Sequence, residues 1–142
     1  MKAIVWGFDN SLTNNAVKKL QDEGFIEVCE WFGNPESAYS VYPTRDWMDV
    51  LRSPERFSFE IYNSELAICM KEHMETILDL FSRNFLFRNS PCYEYENAAY
   101  VLLAFFNKLL QAKKIEVVFM DDIPHGPGNY ILYLAAKKFN IK

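Results

Sequence analysis

Two short polar segments of this chain combine residue types that can bind a ligand or transfer a proton. The first, residues 7–11 (GFDNS), offers a carboxylate, a carboxamide and a hydroxyl directly after an apolar run. The second, residues 121–129 (DDIPHGPGN), holds two adjacent carboxylates, a histidine and two glycines. A histidine beside a carboxylate is a common arrangement for general acid–base chemistry near neutral pH. These two segments form the candidate functional site.

Within the second segment, His125 can act as a general base toward a substrate hydroxyl, and Asp122 can orient its ring. Pro124 stiffens this turn. The alternative role for His125 is a hydrogen bond to the backbone of a tight turn. The candidate ligand-binding residues share a place at a strand end or in the turn after it: Gly7, Asp9, Asn10, Ser11, Asp121, Gly126, Asn129 and Tyr130. For Asn10 or Ser11, the cap of a helix N-terminus is the alternative role.

The elements that must position these residues predict a parallel α/β sheet. Residues 2–8 form a continuous apolar run after Lys2, which is typical of a strand buried on both faces. A helical segment follows and Gly24 ends it, before a second predicted strand at 25–32. Such a strand–helix–strand unit is a right-handed crossover. Ligands bind beyond the carboxyl ends of such strands, so both polar segments face one crevice if their strands are neighbours.

The rest of the chain continues this alternation of helices and strands. The predicted elements are a short helix near 46–51, a short strand at 57–62, a helix at 64–84, a loop at 85–97, a deep helix at 98–113, a strand at 115–120 and a helix at about 130–139. Ile141-Lys142 begins what reads as another strand. We therefore expect a Rossmann-like three-layer α/β domain over residues 1–142, with a mainly parallel sheet flanked by helices, as the N-terminal part of a longer protein.

Composition argues against several classes of function. A net charge of −4 and a pI near 5.2 disfavour nucleic acid as a partner. Three cysteines without a Cys-x-x-Cys pair, together with two histidines, disfavour a zinc site, so no metal is expected. The longest apolar run, 98–106, is short of the ~20 residues of a membrane span. Neither a Gly-x-Gly-x-x-Gly nor a P-loop motif is present, which disfavours dinucleotide and P-loop nucleotide binding.

A family resemblance rests on the second segment and its flanks. Residues 118–126 and 129–135 describe a strand, a Pro-His turn and an aromatic-rich helix of the Leu-Tyr-x-x-Ala kind. This pattern resembles bacterial capsular polysaccharide biosynthesis proteins, and the first 33 residues are similar in style. The resemblance implies an N-terminal, glycosyltransferase-like domain that contributes the acceptor side of a sugar-transfer cleft.

The same resemblance implies the expected partners. This domain would hold no cofactor of its own, and the full-length protein would bind a nucleotide-sugar donor with a C-terminal domain. The isolated domain would then be inactive. Its substrate would be a carbohydrate or nucleotide-sugar. The expected location is the cytoplasm or the inner face of the membrane, because three scattered cysteines are typical of a reducing compartment and the first apolar run meets Asp9 and Asn10 too soon for a signal peptide. No transmembrane segment is expected.

A second resemblance points to phosphatase chemistry. The opening MKAIV followed by residues 9–13 (DNSLT) resembles haloacid dehalogenase-type phosphatases, whose motif Asp-x-Asp-Gly-Thr follows the first strand. In that family the first Asp is the nucleophile, the second is a general acid, and Mg²⁺ balances their charge. Ser11 and Leu12 replace the second Asp and the Gly here, so protonation of the leaving group loses its donor. Under this hypothesis, Asp121 and Asp122 would take the place of the acidic residues that bind the metal in that family.

A third hypothesis, a non-catalytic interaction domain, rests on the aromatic residues. Twelve Phe, eight Tyr and three Trp exceed what a small core usually needs. Several of them can stack on a sugar, pack in the core or contact a partner: Trp31, Phe32, Trp47, Tyr93 and Tyr95.

Overall fold

The computed structural model describes residues 1–34, 45–53, 64–84, 87 and 89–142. Its elements in chain order are β1 (Lys2–Trp6), α1 (Ser11–Asp22), β2 (Glu27–Phe32), α2 (Met48–Arg52), α3 (Ser64–Glu72), α4 (Met74–Arg83), α5 (Cys92–Ala112), β3 (Val117–Met120) and α6 (Pro127–Lys138). No helix within these ranges is both long enough and apolar enough to span a membrane.

A parallel sheet of three strands in the order β2-β1-β3 lies at the centre of the described structure. β1 pairs along its length with β2, and from Ala3 to Trp6 with β3. Arg45 adds one parallel bridge to Phe32 at the outer edge of β2. The predicted fold class, an α/β fold with a parallel sheet flanked by helices, is confirmed, and three strands make it a small Rossmann-like example.

Helices cover both faces of this sheet, which explains the unbroken apolar run of β1. Successive side chains of a strand point to opposite faces. Ala3 and Val5 therefore pack toward α1, where they form a cluster with Val17. Ile4 packs on the other face with Phe106 and the other core residues of α5 and α6. The turns at the strand ends thus rest on a fully packed base.

The first predicted strand is two residues too long. β1 ends at Trp6, because Gly7 (φ 80°) and Phe8 (φ 63°) both adopt left-handed backbone conformations. Gly24, with φ 77°, follows α1 as predicted. The second strand begins at Glu27 and the third at Val117, each two residues later than predicted.

The single helix predicted at 64–84 is wrong, since α3 and α4 are separate helices. His73 interrupts them with φ −106° and ψ 7°, outside the helical region. Its ring packs against Tyr130 of α6, and Tyr130 Oη lies 3.2 Å from His73 Nδ1. The apolar spacing continues across the break because the side chains of both helices contribute to one core cluster.

The loop predicted at 85–97 is wrong from Cys92 onward, because α5 already begins there. Pro91 takes the N-cap position, where a missing N–H costs nothing. Tyr95 lies inside the helix, buried, and donates a hydrogen bond to the Phe87 carbonyl oxygen at 2.7 Å.

Four predicted elements remain, the last of them the strand expected to begin at Ile141-Lys142. The short helix near 46–51 is confirmed as α2, whereas the strand predicted at 57–62 lies outside the described residues. The last helix begins at Pro127 rather than near residue 130. Lys142 bonds to the outer edge of β3: its N–H donates to Glu116, and its carbonyl accepts from Val118 at 2.8 Å.

Candidate functional site

The strand order creates a crevice between the turns that follow β1 and β3. From central β1 the chain crosses to β2 on one side, and β3 pairs on the other side. In parallel sheets such a reversal separates the turns at the carboxyl ends, and ligands bind between them. The two polar segments therefore lie on adjacent strands, as the hypothesis of a shared crevice requires.

A cleft of about 340 Å³ opens at this point, within the usual size range of small-molecule sites. Its described lining is Trp6, Gly7, Asp9, Gly33, Asp46, Trp47, Asn84, Asp121, His125, Gly126, Pro127, Gly128 and Asn129. Six predicted site residues are among them: Gly7, Asp9, Asp121, His125, Gly126 and Asn129. Four are not in this lining: Asn10, Ser11, Asp122 and Tyr130.

The backbone of the turn after β1, at Gly7 and Phe8, is hydrogen-bonded from the β2 side and from the β3 side. The Gly7 N–H donates to the Phe32 carbonyl at 2.8 Å, and the buried Trp31 indole Nε1 donates to the Gly7 carbonyl at 2.8 Å. From the β3 side, Asp121 Oδ2 accepts the Phe8 N–H at 2.9 Å. The Asp121 carboxylate lies so close to Gly7 that a Cβ there would fall 2.1 Å from its Oδ1. Asp121 therefore ties the two turns together as well as lining the cleft.

Asp9 connects the β1 turn to the end of β2. Both of its carboxylate oxygens lie within reach of the Asn34 N–H, at 3.3 and 3.2 Å. A Cβ on Gly33 would fall 2.6 Å from Asp9 Oδ1, so glycine at that position leaves space for the carboxylate. Asp9 is thus fixed at the cleft wall rather than free to rotate.

His125 is oriented by a backbone carbonyl. Its Nδ1 lies 2.9 Å from the carbonyl oxygen of Ile123. A carbonyl oxygen only accepts, so Nδ1 carries the hydrogen and Nε2 of the neutral ring is left to accept a proton. The orienting role predicted for Asp122 falls to Ile123, because Asp122 Oδ2 lies farther away, at 3.6 Å. Asp122 remains close enough to stabilise a protonated ring.

The first turn of α6 forms another wall of the cleft. Asn129, a buried side chain, accepts the Gly126 N–H through Oδ1 at 2.9 Å and so closes the turn. At Gly128 a Cβ would fall 2.7 Å from Trp47 Cδ2 and 2.9 Å from Trp6 Cη2. Glycine therefore lets two indoles approach the helix backbone, and these indoles make the aromatic wall of the cleft.

Asp46 belongs to the cleft lining but is also bound by α2. Its Oδ1 accepts the Met48 N–H at 3.0 Å, and Oδ2 lies 3.1 Å from Arg52 Nη1. The pKa of the Arg52 guanidinium lies above its ordinary value, because it donates a hydrogen bond to Asp49 and lies beside charged Asp46. The Arg52 guanidinium thus contacts both Asp46 and Asp49 and holds the Asp46 carboxylate beside α2.

Three kinds of lining residue escaped prediction. Trp6 read as a strand residue, and its place at the end of β1 was the available sign. Gly33 directly follows β2, and Asp46 lies just before α2. Their positions at the ends of these elements could have indicated a place in the cleft. Asn84 ends α4 and nothing in its sequence context pointed to the cleft.

The five aromatic residues proposed for sugar stacking divide clearly. Trp47 lines the cleft. Trp31, Phe32 and Tyr95 are buried core residues, whereas Tyr93 is exposed near the start of α5. Most of these five aromatic residues thus belong to the hydrophobic core, and only Trp47 belongs to the described cleft lining.

The charge of the cleft is negative among the residues that the structure describes. Asp9, Asp46 and Asp121 contribute carboxylates, and no described lining residue is lysine or arginine. Within the same residues, no three His, Cys, Asp or Glu side chains converge as a metal-binding group.

Asn10 serves as the N-cap of α1, where its Oδ1 accepts the Thr13 N–H at 3.0 Å. We expect Asn10→Ala to lower the free energy of unfolding by about 1 kcal/mol, because the first turn loses this acceptor. Asn10→Asp keeps an acceptor and should stay near the native value. Chemical denaturation of both variants tests this, and equal stability of the alanine variant and the native protein would contradict the capping role.

Comparison of the chain with protein-family models, curated proteins and solved structures finds no match in any of the three. The chemistry of the cleft itself is therefore the basis for a functional proposal.

Proposed function

We propose that this chain is a glycosyltransferase-like protein of capsular or other surface-glycan biosynthesis, and that its cleft binds the acceptor sugar. The observation that carries the proposal is the lining: two indoles, three carboxylates and a histidine in one cleft between the β1 and β3 turns. The family resemblance of residues 118–135 agrees with it.

The aromatic wall suits a sugar ring. One face of a pyranose presents C–H groups, and such a face packs well on an aromatic surface. Trp6 and Trp47 meet at Gly128 and offer that surface. In the same cleft, Asp9 and Asp121 provide charged acceptors for hydroxyl hydrogens, which are stronger partners than neutral ones. A polyhydroxylated ring thus finds both kinds of contact in one site.

The charge of the cleft favours an acceptor over a nucleotide-sugar donor. A donor brings a diphosphate, and carboxylates close to it would repel its negative charge. Asp9 and Asp121 are such carboxylates, and no described lining residue is lysine or arginine. Asp46 contributes less to the repulsion because it is paired with Arg52. An uncharged acceptor sugar suffers no such repulsion.

His125 supplies the base for transfer. The acceptor hydroxyl gives its proton to Nε2, and its oxygen forms a bond to the anomeric carbon of the donor sugar. The bond from that carbon to the nucleotide's phosphate oxygen breaks, and the nucleotide leaves with the electron pair. The imidazolium so formed lies 3.6 Å from Asp122 Oδ2, which stabilises its charge.

Binding of simple sugars tests this proposal without a donor. We expect methyl glycosides at millimolar concentration to shift the amide NMR signals of Gly7, Gly33, Gly126, Gly128 and Asn129. Asp9→Asn should weaken the binding about tenfold, because a charged acceptor becomes neutral. Asp22→Asn, an exposed change on α1, is the matched control and should bind as the native protein does.

Two results would contradict the proposal. One is a panel of hexoses, pentoses and amino sugars that leaves all cleft amides unmoved. The other is Mg²⁺-dependent hydrolysis of an aryl phosphate that Asp9→Asn abolishes, because this result would assign the cleft to the phosphatase class instead.

A further inference from the structure

A charged cluster outside the cleft joins β2 to α5 and to the chain that follows β2. Glu30 Oε1 lies 3.3 Å from Arg45 Nε, and Glu30 Oε2 lies 3.1 Å from Lys113 Nζ. Lys113 Nζ also donates to the Cys29 carbonyl at 2.6 Å. The Glu30 side chain is 13% exposed, so solvent screens its charge less than that of a surface carboxylate.

The Arg45 branch of this cluster leads directly to the cleft. The Arg45 N–H donates to Trp31 at 2.8 Å, and its carbonyl accepts from Gly33 at 3.1 Å. Its guanidinium lies 5.9 Å from the centroid of the Phe105 ring. The next two residues along the chain, 46 and 47, line the cleft. The position of Arg45 therefore sets where this part of the cleft wall begins.

We propose that Glu30 is a positioning residue for the cleft. By holding Arg45 against the end of β2, it fixes the backbone that carries Asp46 and lays Trp47 over Gly128. Lys113 pairs with the other Glu30 oxygen, but the residues next to Lys113 in the chain do not line the cleft. Arg45 therefore positions the cleft wall, whereas Lys113 only stabilises the cluster. The effect on a sugar rests on the proposed function, whereas the position of Trp47 does not.

The first test removes the charge of Glu30. We expect Glu30→Gln to weaken binding of the methyl glycoside by roughly 3- to 30-fold, the range seen when a residue acts through others rather than by contact. Glu27→Gln changes the same residue type on the same strand at an exposed position, and should bind as the native protein does.

The second test separates positioning from general stability. Arg45→Met and Lys113→Met each remove one cation from Glu30, and both should lower the unfolding temperature. Only Arg45→Met should weaken sugar binding. Equal losses of affinity in the two variants would show a merely structural cluster and would overturn the proposal. If Glu30→Gln does not fold, Arg45→Met tests the same contact from its more exposed side.

A third readout needs no ligand. Fluorine NMR of fluorotryptophan-labelled protein, with Trp47 assigned by Trp47→Phe, should show a moved Trp47 signal in Glu30→Gln and Arg45→Met. The signal should stay in Glu27→Gln and Lys113→Met. A moved signal without any sugar binding would support positioning while the proposed function fails. An unmoved signal in Glu30→Gln and Arg45→Met would overturn positioning, whatever the cleft binds.

Discussion

Alanine at position 7 is expected to lower the free energy of unfolding by about 3 kcal/mol, and alanine at position 24 by only about 1 kcal/mol. Both glycines have left-handed backbones, with φ 80° and 77°, so the backbone strain is the same. They differ in what a new Cβ meets. At Gly7 it falls 2.1 Å from Asp121 Oδ1, whereas at Gly24 nothing lies within 4 Å. Chemical denaturation of the two variants measures the difference, which is the cost of moving Asp121.

A double variant checks that Asp121 causes the extra loss. Gly7→Ala with Asp121→Ala removes the carboxylate that the new methyl group meets, and the exposed Phe8 N–H can turn to water instead. The double variant should therefore be more stable than Gly7→Ala alone. Equal losses at positions 7 and 24, or no recovery in the double variant, would show that the two turns do not pack as closely as described.

Gly128→Ala is expected to destabilise the protein by about 1–3 kcal/mol, although alanine normally improves a helix by about 1 kcal/mol over glycine. The reversal of sign comes from Trp47 and Trp6, whose ring atoms lie 2.7 and 2.9 Å from the added Cβ. The indoles must shift, so tryptophan fluorescence should change together with the denaturation midpoint. Sugar binding should weaken as well, because the aromatic wall moves.

The control for this prediction lies two residues earlier. A Cβ on Gly126 meets its nearest side-chain atom, Asn129 Oδ1, at 3.5 Å, which is ordinary contact. Gly126→Ala should cost at most about 1 kcal/mol, because alanine is a poorer N-cap than glycine. It should leave the fluorescence unchanged. A stabilising Gly128→Ala would mean that the two indoles do not press on α6.

The parallel α/β fold could be predicted because both faces of its sheet are covered. That requirement gives β1 its unbroken apolar run. The polar start of α1 and the glycine after it could be predicted separately, because helix ends need capping residues. The break at His73 could not be predicted, since the apolar spacing continues through it and the contact of the His73 ring with Tyr130 joins distant parts of the chain. The early start of α5 was missed because Tyr95 and its neighbours alternate with glutamates and read as a polar loop.

Part of the candidate site could also be predicted, because residues directly after parallel strands lie at one edge of the sheet. Gly7, Asp9, Asp121 and His125 were found in this way. Trp6 was missed because it was interpreted only as a buried strand residue, although it lies at the strand end. Asn84 was missed because its contribution depends on how α4 packs and not on a local pattern. For Asn10, ligand binding and a helix cap were the two alternatives, and its backbone position gives it the cap.

The central position of β1 has a consequence for how the protein is made. Residues 2 and 116, at the start of the β1–β3 pair, are 114 positions apart in the chain. Closing so long a loop costs entropy and slows folding relative to local contacts. During synthesis the β1–α1–β2 unit can pair early, yet one edge of β1 must wait for β3 to leave the ribosome. Until then the unpaired backbone N–H and C=O groups on this edge of β1 are open to other chains, and chaperone demand should be highest in that interval.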